Sequence, residues 1–114
     1  MEKVYGALAG VQLMTNLMDL RKIDSSLNTY RDGRHTSDPG SSRWEAYNDM
    51  IDELDLYVRP SQQNKIINTM GCLSEEEMFQ IGQFLGSEKR YEDLSKYFND
   101  CLALKQKREA EQHK

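Results

Sequence analysis

Between Glu75 and Leu104, apolar residues recur at helical spacing on both sides of a glycine break, so this stretch must fold as two helices packed on each other. The first half, Met78-Phe79-Gln80-Ile81-Gly82-Gln83-Phe84-Leu85, keeps the period with one interior glycine. Gly86-Ser87-Glu88 interrupts it, with Gly86 expected as the C-terminal cap, and Tyr91, Leu94, Phe98, Cys101 and Leu102 then resume it. Ser74 with Glu77 three residues on is a capping box that fixes where the pair begins.

Upstream, residues 2 to about 30 carry two apolar stripes. Val4, Ala7, Val11, Met14 and Met18 form one, and Leu13, Leu17, Leu20 and Leu27 the other. Two stripes exceed what one face of a small domain needs, so this helix is either central to the fold or shared with a second chain. Gly6, Ala7, Ala9 and Gly10 give its first turns a thin surface. Each interior glycine costs up to ~1 kcal/mol of helix stability, which a close contact would have to offset. Arg31 to Arg43 is polar and aperiodic and reads as the one substantial loop. Ser42 with Glu45 suggests a second capping box, opening a helix with Trp44, Tyr47, Ile51, Leu54 and Val58 on one stripe. Pro60 is expected to stop it and to start a short helix, about 60–70, that ends at Gly71. After Leu104 the stripe is lost, and 105–114 reads as a charged, fraying tail on a single helical domain of residues 1–104.

The 75–104 stretch resembles a tetratricopeptide (TPR) unit, whose pattern is Trp-x2-Leu-Gly-x2-Tyr, then Ala-x3-Phe, then Pro. Met78, Ile81, Gly82 and Leu85 fall on the first group, Leu94 and Phe98 on the second, and Gln106 stands where the Pro would be. The likeness covers about a quarter of the chain. Trp44 precedes Met78 by one TPR period, but Asn48, Pro60 and Asn64 then face Gly82, Leu94 and Phe98, so no second repeat is supported. A TPR-like pair implies a role in binding proteins.

The expected fold is all-α: a bundle of about five helices, with a long N-terminal helix and a TPR-like C-terminal hairpin. Its expected core holds Ile51, Leu54, Ile81, Leu85, Leu94, Phe98 and Leu102. With 114 residues, 38% hydrophobic and 30% charged, there is room for one modest core and no sign of disorder. Six methionines suit an adaptable core or contact face. Cys72 and Cys101 are too few for a disulfide scaffold or zinc site and read as buried thiols. No apolar run approaches the ~20 residues of a membrane span, and the expected location is cytoplasmic.

Nothing in the chain composes a catalytic set. The histidines are His35 and His113, no glycine loop cradles phosphate, and no spacing fits a metal, so no cofactor is expected. The expected function is therefore a non-catalytic interaction module, an adaptor, chaperone or inhibitor, binding another protein through helix faces or pairing as a homodimer. The residues expected to carry it are Val4, Val11, Met14 and Met18 on the first helix, with Glu45, Asp49, Asp52 and Asp55 on an acidic face of helix 42–58 that suits a basic partner. The alternative is a dimeric DNA-associated regulator using helices 60–70 and 75–86 as a helix-turn-helix. Its leading end would be Ser74-Glu75-Glu76-Glu77, whose charge opposes phosphate, and the net charge of −4 points the same way.

Overall fold

A computed structural model describes residues 2–112, with side chains described from Leu8 onward. The described residues are 90% helical, with no strand among them. Helix α1 spans Glu2–His35, α2 Ser42–Glu53, α3 Arg59–Met70, α4 Glu75–Ser87 and α5 Glu92–Gln112. A π-helical turn, Leu54–Val58, links α2 to α3, and a 3-10 turn, Lys89–Tyr91, precedes α5.

Pro60 does not end a helix. Glu53, Val58 and Arg59 all keep right-handed helical dihedrals, so α2, the π turn and α3 form one rod. The expected five helices are therefore four. The backbone N–H of Arg59 donates to the Leu54 carbonyl, five residues back. Proline has no N–H, and in a regular helix its ring would press on the carbonyl four residues back, that of Leu56. The wider π turn, placed just before it, accommodates both defects.

The expected loop is also shorter. Residues 31–35 continue α1, leaving 36–41 as the connection. Ser41, not Ser42, caps α2: its hydroxyl accepts from the Trp44 N–H at 3.1 Å. Asp32-Gly33 is therefore helix rather than turn. The Ser74–Glu77 capping box forms reciprocally, as expected. Gly86 lies within α4, which ends at Ser87.

α1 is central, touching all the other α-helices and the π turn. Its second stripe, Leu13, Leu17 and Leu20, enters the main core with Ile66, Ile67, Met70, Leu73, Leu85, Leu94, Phe98 and Cys101. Leu27 and Ile51 are buried outside that cluster. Of the expected core, Ile51, Leu85, Leu94 and Phe98 are buried, Ile81 and Leu102 half-buried against it, and Leu54 half-buried in the π turn.

Three ion pairs tie α1 to the rest. Arg21 grips Asp93 of α5 through two bonds of 2.8 Å and also donates to the Arg90 carbonyl. Arg59 of α3 donates to Asp24 at 2.9 Å, and Arg31 donates to Asp55 of the π turn at 3.0 Å. Between α1 and α3 lies a polar clasp: Gln62 donates to the Asn16 backbone carbonyl, and the Asn16 amide donates to the Thr69 hydroxyl. No buried side-chain nitrogen or oxygen among the described residues lacks a partner.

Candidate protein-binding surfaces

The residues singled out on α1 divide. Val11 is 66% exposed and Met18 43%, whereas Met14 packs against the core. Met14 is thus excluded from a free outer row by its own burial. The side chain of Val4 lies outside the described residues. Leu8, which the stripe reading passed over, is as exposed as Val11 and three residues before it, so Leu8, Val11 and Met18 form the outward row. Of the thin surface at the start of α1, Gly6 and Ala7 lie outside the residues whose side chains are described, and Gly10 meets a neighbour within the chain: a Cβ there would sit 3.9 Å from Ile81 Cδ1 of α4.

The acidic row divides as well. Asp55 is neutralised by Arg31, so it does not belong to a base-free face. Glu45, Asp49 and Asp52 are exposed and enter none of the ion pairs formed among the described residues. Arg34 lies 6.0 Å from the Trp44 ring centroid and donates to Asn48 Oδ1 at 2.7 Å, so it is turned to α2's inner side, while Arg43 stands exposed in the first turn of α2 and enters none of the ion pairs among the described residues. Three carboxylates at 4 and 3 spacing remain, in water, on one side of α2.

A third surface was not anticipated. Helices α4 and α5 leave between them a groove of about 580 Å³. Met70, Met78, Gly82, Phe98 and Leu102 line it, and Phe79 stands beside them 64% exposed. Gly82 makes the close approach possible: a Cβ there would lie 3.1 Å from Phe98 Cε1. The groove's charged side chains are Glu75, Lys105 and Glu109, and Lys105 is paired to Glu109 one turn on. The clue in the sequence was Phe79, a large ring adjacent to the inward row of Ile81 and Leu85 but not on it.

A second cavity, about 520 Å³, is polar. Asp24, Arg31, Asp55, Arg59 and Tyr97 line it, with each arginine held by an aspartate. The Tyr97 hydroxyl is pushed up to about 12, first by burial and then by its bond to Asp24. This holds the phenol protonated, as a donor to Asp24, and unsuited to act as a base near neutral pH.

Of the two thiols, Cys101 is buried as expected, but Cys72 is exposed. It lies in the turn after α3, its thiol donating to the Asn68 carbonyl at 3.7 Å. Among the described residues no group of three or more His, Cys, Asp and Glu could hold a metal ion. No described helix is long and apolar enough to cross a membrane. At the start of α4, Glu75 and Glu76 face solvent and Glu77 is half-buried in the capping box, so the leading end of the supposed recognition helix is anionic. No family model matches the chain, and no curated protein or solved structure matches it either.

Proposed function

We propose that this chain is a non-catalytic protein-interaction module that engages a partner protein, or a second copy of itself, through helix faces. The observation that carries this reading is the outward row of Leu8, Val11 and Met18 beside a core that closes without it. Apolar side chains in water contribute nothing to folding there, and burying them in a contact would release about 25 cal/mol per Å². The TPR-like α4–α5 pair supports the same reading by resemblance. The exposed Glu45, Asp49 and Asp52 suit a partner with a basic surface, adding rate and specificity more than affinity.

The test separates core from surface. Val11→Asp with Met18→Asp should leave the helical circular dichroism spectrum intact and abolish capture of the partner from the native cell. Sedimentation equilibrium of the unaltered chain distinguishes a second copy from a foreign partner. A spectrum lost in the double variant would return the row to the core and sink the proposal.

A further inference from the structure

The α4–α5 groove has the shape and charge of a receptor for one kind of ligand, and we infer that it docks an amphipathic helix whose apolar stripe is flanked by lysine or arginine. The inference rests on the interaction-module reading but not on the α1 row or the α2 carboxylates. Three features of the groove select this occupant.

The first is its lining. Half-buried Met78 and Leu102 are its apolar walls, with half-buried Gly82 beside them and buried Met70 and Phe98 beneath. Methionine adapts to knobs of different shape, so Met78 in the wall suits side chains presented by a partner helix rather than one rigid molecule. The second is its length. The residues on α5 run from Phe98 to Glu109, which at 1.5 Å per residue is roughly 17 Å, or three helical turns. A volume of about 580 Å³ holds several side chains of such a helix. Phe79, exposed at the edge, is placed to close over one of them.

The third is charge. Glu75 leaves the groove net negative, because its one cation, Lys105, is already paired to Glu109. Exposed Glu76 follows Glu75 on α4. A fatty acid or other anionic amphiphile would find no unpaired cation here. A helix with bases beside its apolar stripe meets carboxylates at the groove's polar edge.

The experiment uses the full chain and a fluorescein-labelled synthetic helix of about eighteen residues, roughly 27 Å long, with leucines at 3/4 spacing and lysines elsewhere. Two control peptides replace every lysine by glutamate, or scramble the order so that the stripe is lost. Anisotropy titration should show saturable binding of the lysine peptide and at least about tenfold weaker binding of both controls. Phe79→Asp should cut affinity about tenfold or more, while Glu45→Lys with Asp49→Lys and Asp52→Lys changes it less than threefold. Phe79 is exposed, so the substitution should fold; if its spectrum is altered, Phe79→Ala replaces it in the same titration. No binding of the lysine peptide, equal binding of the glutamate peptide, or binding indifferent to Phe79 would each overturn the assignment. A cellular partner lost on Val11→Asp with Met18→Asp but untouched by Phe79→Asp would leave the module standing and the groove without this role.

Discussion

Gln62 donates its side-chain amide to the backbone carbonyl of Asn16 at 2.9 Å, from a position only 7% exposed. A polar residue thus sits where α1 and α3 press together, and its bond fixes how far one helix can slide along the other. The two faces of the amide have different tolerances to change.

Gln62→Leu should cost about 1 kcal/mol, because one net hydrogen bond is lost while the volume is kept. Gln62→Glu should cost more at pH 7, since a desolvated carboxylate would then face a carbonyl oxygen with no proton to donate. Burial raises the folded-state pKa of the introduced group, so its penalty should shrink as pH falls towards 4. Urea denaturation of both variants at pH 7 and pH 4.5 measures this crossover.

Two glycines one turn apart in α4 should respond to alanine with opposite signs. A Cβ on Gly82 would meet the buried Phe98 ring at 3.1 Å, and overpacking of this kind typically costs about 1–3 kcal/mol, which outweighs a helix-propensity gain of at most ~1 kcal/mol. On Gly86 the nearest atom would be Ser95 Oγ at an ordinary 3.9 Å, so only the propensity gain remains. Thermal melts should show Gly82→Ala lowered and Gly86→Ala raised.

The Asp93 carboxyl is held below its ordinary pKa, chiefly by the hydrogen bond from Arg21. A carboxyl depressed in the folded state adds stability above its unfolded pKa and loses it as pH falls through the folded one. Both side chains are partly exposed, so Asp93→Asn should cost no more than about 1 kcal/mol at pH 7. That difference should vanish below the usual carboxylate range, as seen in denaturation curves from pH 7 down to pH 2.

Burial pushes the Cys101 thiol up to about 11, so at pH 8 it offers almost no thiolate and no access to reagent. Cys72 is exposed. Iodoacetamide on the folded chain should modify Cys72 first and reach Cys101 only with denaturant, as peptide mass mapping would show.

The helices were legible because periodicity is written in single residues: Leu13, Leu17 and Leu20, or Leu94 and Phe98, point one way whatever surrounds them. Their joins were less so. Proline at position 60 reads as a stop because its local cost is known, whereas the compensating π turn depends on how the whole rod lies on α1. Glycine 33 reads as a turn residue, yet in the folded chain a Cβ there would lie 2.5 Å from the Tyr47 ring, which comes from another helix. The same limit applies to the surfaces. Asp55 looked free until Arg31 arrived from 24 residues away. The α1 row held Met14 alongside Val11 because spacing cannot say which of two adjacent stripes the neighbours cover. The α4–α5 groove is a property of two helices together, and only Phe79 marked it in one of them.

The π turn has a consequence for how this chain tolerates change in length. Each residue added to or removed from a helix rotates everything beyond it by about 100°. Deleting one residue between Leu54 and Val58 would allow a regular turn and improve the local hydrogen bonding. It would leave Gln62, Ile66 and Met70 facing α1, because the wide turn absorbs its extra residue instead of passing on the rotation. The turn acts as a phase buffer between two halves of one rod, housing an extra residue without putting either half out of step with the helix they share.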